Sequence, residues 1–222
     1  MEEKVEIIFE DKDILVLNKP AGLVTTKEGR KEEKTVEDWI EKNRPNDLPR
    51  SGIVHRLDKG TSGILLAAKT LESLNNLKSQ FKNRLTAKHY KAMLCGDVSF
   101  EGEVKVPIDR SKYVFGKFGP GWNGKQAWTK FKLIKKYSYN GKKYSLVDID
   151  LKTGRTHQIR VHFSYLNWPL LGDKLYGGEM VLGIERPFLQ AYYLEINHPV
   201  SGERLHFEID LAKDLKQVLS QL

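Results

Sequence analysis

The chain has 222 residues, 37 Lys and Arg against 29 Asp and Glu for a formal net charge of +8, and 40% hydrophobic residues. That length suits one large domain or two small lobes with a real core. The single cysteine, Cys95, excludes an intramolecular disulfide and a cysteine-built zinc site. No apolar run approaches the roughly 20 residues a bilayer span needs, and the first residues lack a signal-peptide apolar core. The expectation is a soluble cytoplasmic protein, and the positive balance favours a polyanionic partner such as nucleic acid.

Residues 5–9 and 14–17 read as strands separated by the Asp11-Lys12-Asp13 turn. Asn18-Lys19-Pro20-Ala21-Gly22 breaks the pattern as a loop. Residues 27–50 are polar, with charge runs and one helical candidate over 36–42, and are expected to be mobile. Lys27, Arg30, Lys31, Lys34, Lys42, Arg44 and Arg50 there suit phosphate contacts and a solvated surface equally. The next segment, His55-Arg56-Leu57-Asp58-Lys59-Gly60-Thr61-Ser62-Gly63, runs straight into the apolar residues 64–68. These have the length and composition of a buried strand. Asp58 is thus held beside a turn against a core strand, a partly dry place where a carboxylate can be made reactive.

Thr70 N-caps a predicted helix reaching about residue 84, with Leu71, Leu74, Leu77 and Phe81 on its apolar face. Residues 88–94 alternate as a strand, placing Lys88, Tyr90, Ala92 and Leu94 on one side. Residues 107–125 are loop-rich and contain Gly119-Pro120-Gly121-Trp122-Asn123-Gly124, a literal G-x-G-x-x-G. No helix follows it and Pro120 lacks an N–H, so it reads as a loop and not as a dinucleotide cradle. Residues 127–134 and 143–151 form a predicted hairpin through Asn140-Gly141, with Val147, Ile149 and Leu151 opposite Asp148, Asp150 and Lys152. A helix from Thr156 to about residue 166 puts His157, Arg160 and Ser164 on one face and Ile159, Phe163 and Leu166 on the other. Strands over 188–196 and 204–209 and a short closing helix complete an α+β pattern with a mixed, largely antiparallel sheet.

His157 and His162 are five apart with no glutamate between them, off the spacing of a helical metal pair, so no metal is expected. Arg155, His157 and Arg160 crowd a predicted helix start, where cations oppose the macrodipole. A carboxylate or phosphate partner would relieve that arrangement.

Together these segments resemble the RluA family of RNA pseudouridine synthases. The match covers H-R-L-D-x-x-T-S-G at 55–63, the Lys-Pro-x-Gly loop within 18–22 and K-x-Y at 88–90 with Gly96. It continues through G-K-x-A-x-T at 124–129, K-T-G-R-T-H-Q-I-R-x-H at 152–162 and G-D-x-x-Y-G at 172–177. The resemblance implies the pseudouridine synthase fold, a mixed, mostly antiparallel central sheet in two lobes with flanking helices and an active-site cleft. A single catalytic domain over 1–222 is expected, and because its pattern begins within the first ten residues, it is expected to lack the N-terminal RNA-binding appendage that many relatives carry.

The implied activity is isomerisation of specific uridines in structured RNA, ribosomal or transfer RNA, to pseudouridine, with no cofactor and no metal. Asp58 is the implied nucleophile, Arg160 its paired cation and Tyr90 the platform for the base. The resemblance also implies that Arg56 fills the stack left by the flipped uridine. Thr61, Arg155 and His157 complete the implied substrate-binding set, and His55 belongs to it in a structural capacity. The expected partner is RNA, with no membrane and a monomeric state. The alternative is a catalytically inactive RNA-binding chaperone. Glycoside hydrolysis needs two flanking carboxylates, and Asp148 and Asp150 read as solvent-facing charges on a strand.

Overall fold

The computed structural model describes residues 4–27, 34–114 and 116–222. Arg30 and Lys31, named above for phosphate contact, lie outside the described residues. In chain order the first elements are β1 (Glu6–Glu10), β2 (Ile14–Lys19), α1 (Val36–Asn43), β3 (Ser62–Ala68) and α2 (Leu71–Lys82). Next come β4 (Ala87–Cys95), β5 (Gly102–Val104), β6 (Ile108–Arg110), β7 (Phe118–Pro120), β8 (Thr129–Tyr139) and β9 (Lys142–Leu151). The last are α3 (Gln158–Tyr165), β10 (Leu189–Asn197), β11 (Arg204–Glu208) and α4 (Lys213–Ser220). The fold class is α+β. Two compact units divide the chain: Met1–Ala87 with Ala191–Asp210, and Lys88–Gln190 with Leu211–Leu222.

In the first unit β1, β2 and β3 pair antiparallel in that order, β10 lies beside β3, and β11 pairs antiparallel with β10. Alternate residues Ile14 and Val16 of β2 and Ile64, Leu66 and Ala68 of β3 face Leu74 and Leu77 of α2, with Leu194, Ile196 and Phe207. Thr70 caps α2 as expected, its Oγ1 accepting from the Ser73 N–H at 3.1 Å. Leu71 is the exception on the apolar face. At the first helical position it points past the core and is 60% exposed.

The Asp11 turn is held at both ends. Asp11 Oδ1 accepts from the N–H groups of Asp13 and Ile14 at 2.8 and 2.7 Å, and Oδ2 lies 3.0 Å from His198 Nε2. His198 Nδ1 in turn accepts from the Ser201 N–H at 3.0 Å, which places the ring proton on Nε2. Asp11, Asp13 and His198 bring ligand-type atoms within 4.8 Å of one another. With the Nδ1 lone pair used and Nε2 carrying hydrogen, however, the imidazole acts as a hydrogen-bond clamp and suits a metal poorly.

Gly63, the second residue of β3, has φ 125°, and a Cβ there would sit 2.1 Å from the Ala191 carbonyl oxygen on β10. Only glycine allows that approach. Gly63→Ala is expected to lose more than about 2 kcal/mol of stability, measured as a lowered denaturant midpoint.

In the second unit the order is β4-β9-β8-β5, all antiparallel. The β8–β9 turn uses Asn140 at φ 48° and Gly141 at φ 75°, both left-handed, as the predicted Asn-Gly hairpin requires. β8 runs longer than the sequence pattern indicates, to Tyr139. Within the stretch read as loop-rich, β6 and β7 form their own two-stranded ladder.

One expectation is corrected by β9. Its residues 144–149 are all buried, and Asp148, read from alternation as solvent-facing, is 6% exposed. Strands β4 and β8 flank it with Lys91 and Lys132 in register, and its Oδ2 lies 3.5 Å from both His89 Nδ1 and Lys132 Nζ. Hydrogen bonding to Asp148 raises the His89 pKa above its usual value, against the opposing effect of burial. A raised folded-state value stabilises fully below the unfolded histidine pKa of about 6.5 and loses that contribution as pH rises through the folded value. His89→Gln is therefore expected to be destabilised relative to wild type most at acidic pH. The difference should shrink above neutrality, as read from urea midpoints across pH.

Candidate active site

Asp58 sits in the first unit, partly exposed, between the exposed side chains of Arg56 and Lys59 and next to the buried Leu57. Its backbone is held on several sides. The Thr25 hydroxyl donates to the Leu57 carbonyl at 2.7 Å and accepts from the Leu57 N–H at 3.1 Å. The Gly22 N–H donates to the Lys59 carbonyl at 2.7 Å, and the Thr61 N–H to the Asp58 carbonyl at 3.0 Å. The Lys-Pro-x-Gly loop that provides Gly22 is itself tied down. Lys19, with no exposed surface, donates from Nζ to the carbonyls of Pro20 and Leu23, both at 2.8 Å.

His55 and Thr61 are built into this support. His55 Nε2 accepts from the Leu66 N–H at 3.1 Å and its ring stacks on Phe81 with centroids 4.9 Å apart. Thr61 is buried, at 3% exposure, where the turn meets β3. Just upstream, Arg50 and Ser51 adopt left-handed backbone at φ 55° and 50°, a costly conformation for two successive non-glycine residues.

Tyr90 and Arg160 belong to the second unit. Tyr90 lies on β4 in register with Ile149 and is 7% exposed. The α3 helix begins later than its sequence pattern indicates. His157 is the N-cap, at φ 55° and ψ 18°, and helical residues start at Gln158. Arg155 therefore lies outside the helix, its Nε donating to the Gln126 carbonyl at 3.0 Å. Only Arg160 of the three cations occupies the first turn. Its compensating anion in this unit is Asp173, bound bidentately from Nε at 2.6 Å and Nη2 at 2.8 Å. Asp173 is fully buried, and the Arg160 guanidinium also lies over the Tyr176 ring at 4.8 Å. Tyr176 Oη accepts from the Phe118 N–H and bonds His157 Nδ1, both at 3.0 Å.

Sequence reading missed the polar residues that shape this turn. Gln158, 2% exposed, accepts on Oε1 from Thr153 Oγ1 at 2.7 Å and from the Arg155 N–H at 3.0 Å. Its Nε2 donates to the Trp128 carbonyl at 3.1 Å and to Thr129 Oγ1 at 2.9 Å. Thr129 Oγ1 then meets His162 Nδ1 at 2.9 Å, and His162 Nε2 meets the Val106 carbonyl at 2.9 Å. Burial pushes the His162 pKa down, and with both ring nitrogens bonded it is a structural imidazole. Asp173 and Tyr176 were visible beforehand only as letters of the G-D-x-x-Y-G segment.

The Thr25 clamp yields a direct test. Thr25→Val removes the hydroxyl and leaves the Leu57 N–H and C=O short of partners in a buried position. A loss of roughly 1–3 kcal/mol is expected, with Thr25→Ser close to wild type, both read from denaturant midpoints.

A family model described as RNA pseudouridylate synthase matches residues 13–165. The ribosomal large subunit pseudouridine synthase D of Pseudomonas aeruginosa is 34% identical over 99% of this chain and 72% of its own length. The protein of the same name from Neisseria meningitidis serogroup A is 38% identical over 98% of this chain and 61% of its own length. The chain thus spans about two thirds of these relatives. Among solved structures, human RNA pseudouridylate synthase domain containing 1 superposes with a TM-score of 0.75 at 28% identity, covering 94% of this chain and 84% of that one. The chain belongs to the RNA pseudouridylate synthase family, in the RluA group whose motifs it carries.

Proposed function

We propose that this protein converts uridine to pseudouridine in structured RNA, with ribosomal RNA the favoured substrate because the relatives named above carry the name of the large ribosomal subunit. The observation that carries the reading is the catalytic-motif carboxylate held by its own backbone. Leu57, Asp58 and Lys59 are each fixed by a hydrogen bond from a different residue, Thr25, Thr61 or Gly22. A reacting group must be held in place before its substrate arrives, and this loop meets that condition.

In the reaction the bond from ribose C1′ to uracil N1 breaks and a bond from C1′ to C5 forms. The C5 proton is released and N1 gains one, so the product is an isomer. Asp58 supplies the anion, as nucleophile or as counter-charge to the developing cation. Arg160, oriented by Asp173, is the cation that the family resemblance pairs with the catalytic aspartate. Tyr90 offers its ring to the uracil. Arg56, exposed two residues before Asp58, enters the stack vacated by the flipped nucleotide. Arg155 and His157 contribute to substrate binding, and His55 and Thr61 support the loop.

Asp58→Asn preserves size and is expected to fold and to bind RNA as wild type does. Release of hydrogen from C5 of labelled uridine should fall by roughly 10⁴-fold or more. Retained turnover in that variant would overturn the reading.

A further inference from the structure

The β6–β7 hairpin and the turn after it carry exposed rings that lie outside the family motifs, which resume at Gly124. Tyr113, between the strands, is 95% exposed, and Trp122, just beyond β7, is 96% exposed. Large rings are rarely left so open, and two in one short segment call for a partner. Around them residues 108–125 hold four cations, Arg110, Lys112, Lys117 and Lys125, against one acid, Asp109. Arg110, Lys112 and Lys125 are exposed.

The frame beneath these rings is pinned. Ile108 and Lys125 exchange backbone hydrogen bonds at 3.0 and 2.9 Å, Ser111 N–H reaches the Lys117 carbonyl at 2.9 Å, and Gly121 N–H the Pro107 carbonyl at 2.9 Å. A Cβ on Gly124 would fall 2.5 Å from the Ile108 carbonyl carbon, so the bend there requires glycine. The Phe118 ring packs edge-on against His157 at 5.6 Å, and its N–H bonds Tyr176 Oη. The hairpin is therefore anchored on two residues that flank Arg160, and its exposed rings are held out from a defined base.

We propose that this hairpin is a contact for unpaired RNA, in which Tyr113 and Trp122 each stack on a base and Arg110, Lys112 and Lys125 neutralise phosphates. The proposal rests on RNA being the substrate and extends it to two rings outside the family motifs, Tyr113 and Trp122. Aromatic faces interleaved with cations fit single strands, whose bases expose their π-faces, and a base-paired duplex offers no face to stack on. A protein partner would be better served by a continuous apolar patch. Here Val114, 45% exposed, adjoins Tyr113, but Lys112, Lys117 and the glycines at 116, 119, 121 and 124 break the stretch between the two rings.

The test measures binding, without turnover, of an oligouridylate and of an RNA duplex of equal length. Tyr113→Ala and Trp122→Ala are each expected to weaken oligouridylate binding about 5- to 100-fold while leaving duplex binding and the melting temperature unchanged. Trp122→Phe should keep most of the affinity. Lys112→Ala should weaken both RNAs alike and lower the salt slope by about one. Unchanged oligouridylate affinity in both alanine variants, or an equal loss on duplex, overturns the hairpin assignment. Neither result touches pseudouridine formation by the wild type, whose absence would instead overturn the proposed function.

Discussion

Polar groups carried into the interior must find partners there, and in this protein many of the partners are backbone groups of the loops that carry the family motifs. Thr25 and Lys19 in the first unit, and Gln158, Thr129 and His162 in the second, are all 5% exposed or less. Thr25, Lys19, Gln158 and His162 each bond backbone groups, and Thr129 Oγ1 links the side chains of Gln158 and His162. Thr25 uses its hydroxyl in both directions on Leu57, and Gln158 ties four groups across the strand-to-helix turn. Hydrophobic burial in β2, β3 and α2 supplies the scaffold, but a non-directional force cannot set the course of a loop. The directional bonds do that.

The Arg160–Asp173 fork follows the same logic with full charges. Asp173 is wholly buried, and removing either partner would strand a charge in the interior. A bidentate fork also fixes the plane of the guanidinium, which a single lysine could not do. The glycines of this region serve that geometry. A Cβ on Gly178 would meet the Leu170 carbonyl oxygen at 1.9 Å, and one on Gly172 the Arg186 carbonyl oxygen at 2.0 Å. The G-D-x-x-Y-G segment is thus a device for delivering Asp173 and Tyr176 to Arg160.

Much of this was legible from local pattern. The Thr70 cap, the Leu74 and Leu77 stripe and the Asn140-Gly141 turn are decided by groups a few residues apart, so sequence reading finds them. The three crowded cations show where local reasoning falls short. It recognised that an anion was needed, but Asp173 is 13 residues from Arg160, and the left-handed cap at His157 moves Arg155 off the helix altogether. Alternation on β9 likewise misplaced Asp148, because a strand covered on both faces buries odd and even positions alike.

The sequence alone determined the family, the α+β class and which positions match the family's motifs, since these depend on residue identity and on short-range periodicity. Tertiary structure alone decided which buried side chains hold them. It assigned Thr25 to Leu57, Gln158 to its turn and Asp173 to Arg160, and it left Tyr113 and Trp122 standing clear of the core. The physical reason is distance along the chain. A cap or a hairpin turn closes within a few residues, whereas Thr25 and Leu57 are 32 apart and meet only when the fold brings them together.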